Sequence, residues 1–285
     1  MTKREFLTFG LGTSIATGIA FAQTSKKAAR KAKTTKLFKS PQGFPNAIAA
    51  TPEGLWIGEQ KLSGEQAKAY KLPEPKSLDE CAFLVDWNGK QLATVTTPSR
   101  NTSGMAVGGG YVWMIANAPP QGVFQVGMNS QLVSHRQIPL GPPGKDGGGS
   151  HGGYWHQGKL WVSSLRLRGN LCIDPVTWQP EYMIPFYQSH PNWIRYHGIV
   201  IHEGSLWQVV GNDCKSFQDY RPGLVRHDLK TGQVQEVIEF LPGSSDPHGL
   251  AIHNGKLYGC DAGIHPNWPN NDSPTAGWIF QIDLV

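Results

Sequence analysis

The chain has little charge, few cysteines and no long apolar run. Only 16% of its 285 residues are Asp, Glu, Lys or Arg. A surplus of five positive charges exists, but it is concentrated near the start. Lys26, Lys27, Arg30, Lys31, Lys33 and Lys36 supply six of the positive charges, and residues 1–22 supply a net +1. With both segments set aside, 18 basic residues face 20 acidic ones. A reader of nucleic acid needs basic charge on a folded face, so this distribution argues against a nucleic-acid partner. No apolar stretch reaches the ~20 residues of a membrane-spanning helix, so no integral span is expected once an export signal is removed. The four cysteines, Cys81, Cys172, Cys214 and Cys260, form no Cys-x-x-Cys pair, which argues against a structural zinc site. Export would permit disulfides. Cys214 and Cys260 occupy equivalent places in adjacent repeats and form the pair the pattern suggests. Four free thiols are the alternative.

What is abundant is Gly (34), Pro (21) and Trp (10). That mixture suits many short strands joined by turns. Residues 1–22 read separately, as an export signal: a basic start, an apolar segment from Phe6 to Phe21, and Ala20-Phe21-Ala22 as an A-x-A cleavage site. Thr2-Lys3-Arg4-Glu5-Phe6-Leu7 is similar to a twin-arginine motif with Lys for the first Arg. The expected location is periplasmic or secreted. Residues 23–34 read as a basic flexible tether, and residues 35–285 as the folded domain.

That domain repeats one phrase five times: a short strand, a Gly-containing turn, then a strand ending in an aromatic. The phrases run 46–56, 103–113, 151–161, 197–207 and 248–258, closing on Trp56, Trp113, Trp161, Trp207 and Tyr258. The closing aromatics stand 57, 48, 46 and 51 residues apart. This period with strand content predicts an all-β fold, a single five-bladed β-propeller. Six blades are the alternative, with residues 60–80 as the extra source. The fifth repeat lacks an outer strand, and Thr35–Lys39 can supply it and close the ring.

In such a ring the first strand of each blade lines the central channel. The repeat starts hold Asn46, Ser103, His151, His197 and His248. Three imidazoles at one structural level, with Glu59 nearby, form a candidate shell for a divalent metal ion, zinc or iron before calcium. An architectural role, with each imidazole bonded to a neighbouring blade, is the competing reading. His248 and Asp261 are the candidate catalytic pair. Second-strand ends and loops on the same face offer Asn117, Asn212, His190, Trp193, His265 and Trp268 for a small-molecule ligand. His190-Pro-Asn-Trp193 returns as His265-Pro-Asn-Trp268.

The strand–His-Gly–strand–Gly-Lys-Leu-Trp/Tyr phrase resembles the propeller superfamily of NHL repeats, gluconolactonase/senescence-marker-type hydrolases and virginiamycin B lyase. That resemblance implies a metal-dependent hydrolase or lyase acting on a small lactone- or ester-like molecule. It also implies oxygen ligands at Glu59, Asn212 or Asp213, and Asp261, with a His as base. The five-blade spacing is also similar to plant-type glutaminyl cyclotransferases. A non-catalytic ligand- or protein-binding propeller is the alternative from another class, and a monomer is expected in either case.

Overall fold

In the computed structural model, the described residues are 30–42, 44–61, 64–69, 80–140, 149–263 and 273–285. Residues 1–29, which hold the expected export signal and most of the expected tether, lie outside this range, as do His265 and Trp268. The strands are β1 (Lys31–Lys39), β2 (Pro45–Thr51), β3 (Gly54–Glu59), β4 (Glu80–Val85) and β5 (Gln91–Thr97). They continue with β6 (Thr102–Gly108), β7 (Tyr111–Ala116), β8 (Gly122–Gly127) and β9 (Leu132–Arg136). The third group is β10 (Ser150–His156), β11 (Lys159–Ser164), β12 (Gly169–Ile173) and β13 (Pro180–Pro185). The fourth is β14 (Trp193–His202), β15 (Ser205–Asn212), β16 (Gly223–Asp228) and β17 (Val234–Phe240). The last is β18 (Gly249–His253), β19 (Lys256–Cys260) and β20 (Trp278–Leu284). One helix, α1 (Gly64–Ala69), lies in the stretch that a sixth blade would have needed. No described helix is long and apolar enough to cross a membrane.

Consecutive strands pair antiparallel within each group, giving three four-stranded blades outright. The fifth blade is completed by β1, which pairs antiparallel with β20 from Ala32↔Leu284 to Lys39↔Trp278. The inner strands touch in a closed ring, β2–β6–β10–β14–β18 and back to β2. This ring fixes the count at five. Apolar residues alternate onto both faces of the inner two strands and bury Trp56, Trp113, Trp161 and Trp207 between blades. The hairpins joining first and second strands are tight. Gln157-Gly158, Glu203-Gly204 and Asn254-Gly255 place both central residues at positive φ, as a type I′ turn requires.

The closing strand starts earlier than its sequence suggests. Residues 31–34 belong to β1 rather than to a tether. Ala32, Lys33 and Thr34 join the ladder with Leu284, Asp283 and Ile282 of β20, and Ala32 is fully buried. Arg30 forms a two-point bond with Glu236 (2.7 and 2.5 Å), and Lys31 Nζ bonds Glu239 at 2.5 Å. Lys31 and Ala32 also pair in parallel with Glu239 and Phe240 of β17. Part of the basic segment is thus a clasp between blades four and five.

Blades one and two are joined through a buried carboxyl. Glu80 accepts the Thr102 N–H at 2.6 Å and the Lys61 N–H at 3.2 Å. Burial outweighs these bonds and raises its pKa to about 7. An unfolded Glu titrates near 4.5. Its contribution to stability is therefore full below that value and is lost as pH rises through about 7. The difference amounts to roughly 3 kcal/mol. Denaturant midpoints at pH 5 and pH 8 should show this loss in the wild type. In Glu80→Gln the pH-dependent part should vanish, and equal slopes in the two proteins would contradict it.

Candidate functional site

The repeat starts do more than share a level. Strand pairing slips at each: between Pro45 and Ala47, Thr102 and Gly104, Ser150 and Gly153, and Tyr196 and Ile199. A bulge at that point re-aims one side chain out of the regular alternation. In blade five His248 precedes β18, and its N–H bonds the Cys260 carbonyl at 2.8 Å. Behind the bulges the backbones nearly touch. A Cβ on Gly198 would lie 2.3 Å from the Leu250 nitrogen, and the Gly198 N–H donates to the His248 carbonyl at 2.8 Å.

The ring that results has two halves. In one, the Asn46 amide bonds Gln60 Oε1 and Ser103 Oγ, each at 2.8 Å, and Ser103 Oγ bonds Asn101 Oδ1 at 2.9 Å. In the other, the three imidazoles stand side by side. Ring centroids are 4.9 Å apart for His151–His197 and 4.6 Å for His197–His248. His197 is 3% and His248 6% exposed. Asp246 is completely buried, with Oδ2 3.2 Å from His248 Nδ1. Donor atoms of His197, Asp246 and His248 all lie within 4.8 Å of one another. Bonds near 2 Å to one ion would require these donors to draw together by about an ångström.

His151 belongs to the cluster but not to that donor set. The Asn117 side-chain amide donates to its Nε2, so this lone pair is engaged. Burial, then the charges of His248 and Arg195, push the His151 pKa down to about 3. The same effects hold His197 well below its ordinary value. Both rings are neutral at physiological pH, the form that ligates metals. His197 Nδ1 is buried with no hydrogen-bond partner.

Three residues of the site were not singled out from the sequence. Asp246 and Arg195 each stand two positions before a His-Gly, where Gly149 stands in blade three. A comparison of the five repeats two residues upstream of the repeat start could have found them. Tyr220 lies beyond a short 3₁₀ turn (Phe217–Asp219) in the connection between β15 and β16. Its phenol is buried, and burial plus the charge of Asp246 raise its pKa well above the usual value.

Several expected site residues serve other tasks. The Asp261 carboxylate accepts from the Gly263 N–H (2.7 Å), Ser273 Oγ (2.8 Å) and Thr275 Oγ1. It holds its own turn, and the carboxylate beside His248 is Asp246. Glu59 is buried with Oε2 unbonded, and burial raises its pKa, yet it is not in the donor set. Asn212 staples a loop through the Arg221 N–H (2.7 Å) and the Asp219 carbonyl (3.2 Å). Trp193 opens β14 and is 2% exposed, with its indole N–H on the Arg221 carbonyl at 2.9 Å. It is packed as core, not presented for stacking. His190 stacks on Trp193 and lies 3.9 Å from Glu239 on an outer strand. The suggested Cys214–Cys260 bridge is not formed: all four cysteines are free, and Cys260 Sγ instead receives the Gly249 N–H at 3.3 Å.

No family model and no curated protein sequence matches the chain. Its similarity to solved structures is one of fold. Glutaminyl cyclase of Myxococcus xanthus aligns with a TM-score of 0.59 at 12% identity, over 90% of this chain and 97% of that one. Hydrazine synthase of Kuenenia stuttgartiensis aligns at 0.46 and 15% identity, over 80% of this chain and 59% of that one. An oxidoreductase candidate (glucose dehydrogenase) of Thermus thermophilus aligns at 0.46 and 13% identity, over 88% and 100%.

Proposed function

We propose that this chain is an exported propeller enzyme with a metal-dependent centre at the channel mouth. The ion is held by His197, His248 and Asp246. The observation that carries the reading is the buried His/Asp/His group itself, with donors within 4.8 Å of one another. Imidazole with one carboxylate suits zinc or iron. Bound there, the ion would polarise a carbonyl or lower the pKa of a water. The protein supplies the rest. Asp246 Oδ2 stands 3.2 Å from His248 Nδ1, so the carboxylate and the imidazole are side by side. The buried Tyr220 phenol is near enough to feel the Asp246 charge. Asn117 fixes His151 at the edge of the cluster. The Asn46–Ser103–Asn101 half offers neutral hydrogen-bonding groups to a small substrate. Hydrolysis or elimination on a lactone- or ester-like molecule is the reaction class that fits these parts.

The test is a panel of lactones and esters assayed before and after dialysis against a chelator, with metal content measured in parallel. Activity should fall with the metal and return with one equivalent of zinc or iron(II). Full activity in metal-free protein would sink the reading. A glutaminyl cyclotransferase is the second reading, favoured by the near-complete fold alignment with a glutaminyl cyclase. It predicts chelator-resistant cyclisation of a peptide with N-terminal glutamine.

A further inference from the structure

We infer that Glu80 is a positioning residue whose proton sets the hydrogen bonding of the polar half of the channel mouth. The inference rests on the mouth being the functional site and names a control on it. Asn46, the repeat start of blade one, is held from two sides. Its amide donates to Gln60 Oε1 at the exit of β3 and to Ser103 Oγ on β6, each at 2.8 Å. Glu80, the first residue of β4, holds the peptide next to each of these partners. One carboxyl oxygen, Oε1, accepts the Lys61 N–H at 3.2 Å, one residue beyond Gln60. The other, Oε2, accepts the Thr102 N–H at 2.6 Å, one residue before Ser103. A completely buried carboxyl thus spans both arms that grip Asn46.

Both arms respond to the charge on that carboxyl. Ionised, both oxygens only accept. Protonated, one of them donates, and a peptide N–H cannot receive that bond. The Thr102 hydroxyl can. It favours the ionised form of Glu80, and it lies 2.6 Å from Ser99 Oγ in a pair in which either atom can donate. Ser99 and Thr102 are completely buried, so a proton on Glu80 is answered by reversal of this pair. A neutral carboxyl is also a poorer acceptor than a carboxylate. The longer of the two peptide bonds, at Lys61, therefore loosens first, and the grip of the adjoining Gln60 on Asn46 changes with it. Charged residues on the neighbouring described segments are Glu59 and Lys61 at the end of β3 and Arg100 before β6. The facing residue of β5, Thr97, is uncharged. None of these adds a charge effect at Glu80, where burial is opposed by hydrogen bonds alone.

The experiment follows the side-chain amide signals of Asn46 and Gln60 by nuclear magnetic resonance in the isotope-labelled chain between pH 5 and pH 8. Both should move together, with a midpoint at about 7. In Glu80→Gln the movement should disappear. Thr102→Val keeps the peptide N–H and removes the hydroxyl that favours the charged form, so the midpoint should move up. This second variant carries the test if Glu80→Gln does not fold. Signals that stay fixed across the range in the wild type, or that titrate equally in Glu80→Gln, overturn the inference. So does an unmoved midpoint in Thr102→Val. A carboxyl that only staples blade one to blade two would make stability depend on pH while the amides at the mouth stay still. Metal content does not enter this readout, so the metal reading and this inference fail separately.

Discussion

His197→Leu together with His248→Leu should remove the bound ion and lower turnover by at least about 10³-fold, while the propeller stays folded. The two parts of this result have separate causes. Metal affinity depends on neutral imidazole donors, and leucine offers none. Stability depends on what the imidazoles do for the fold, and His197 does little through Nδ1, which is buried and unbonded. An orphaned buried polar atom costs about 1–3 kcal/mol. An apolar replacement of similar size at His197 alone should therefore leave the metal-free midpoint unchanged or raise it slightly, whereas replacing His248 also takes a partner from the buried Asp246 carboxylate and should lower it. At His197 a purely architectural histidine ring makes the opposite prediction. There, each lost inter-blade bond would lower stability, and no metal would be present to lose. Metal content and a denaturation curve on the same sample separate the two.

Gly198→Ala should be the most damaging single methyl in the ring. Its Cβ would sit 2.3 Å from the Leu250 nitrogen and 3.0 Å from the His248 carbonyl oxygen. Both are backbone atoms of the next blade, so no rotamer change relieves the clash. Blade four must move away from blade five, breaking the 2.8 Å bond from Gly198 N–H to His248. A cost of about 3 kcal/mol or more is expected, at the top of the overpacking range. That corresponds to a fall in Tm of roughly 6–12 °C for a chain of this size. Gly127→Ala is the control. There the nearest atom is Asn129 Oδ1 at 2.8 Å, the far end of an exposed side chain whose bond from the Gln131 N–H is a long 3.2 Å. Its cost should stay under about 1 kcal/mol. Similar losses in both variants would show that the axis is not tightly packed. Because the same contact positions His197 beside His248, the Gly198 variant should also bind metal more weakly.

The fold was legible because every blade repeats one solution to one packing problem. Trp113, Trp161 and Trp207 announce the interfaces between blades, and the His-Gly positions announce the axis. The site was legible only where it repeats. His151, His197 and His248 stood out as equivalents, and the structure brings them together. Asp246 and Arg195 occupy equivalent positions too, but one is acidic and the other basic, so identity could not reveal the repeat. Tyr220 sits in the connection between β15 and β16, outside the repeated phrase. Asp261 stood out as a carboxylate at a strand end, yet sequence could not show that Ser273 and Thr275 return to occupy it. Trp193 follows His190-Pro-Asn and reads as part of a polar loop. Instead β14 is extended to ten residues and draws that indole into the core. The tether differs from its reading for a related reason: its basic residues find Glu236 and Glu239 on an outer strand, 206 and 208 positions away.

The central claim is that the buried His/Asp/His group holds a transition metal. X-ray absorption on zinc-reconstituted mature protein tests it most directly. The account predicts one tightly retained zinc with only nitrogen and oxygen neighbours near 2.0–2.1 Å, with outer-shell imidazole scattering from two rings that disappears in the doubly substituted His197/His248 variant. Zinc that washes out on dialysis, or a spectrum unchanged by that double substitution, would contradict it.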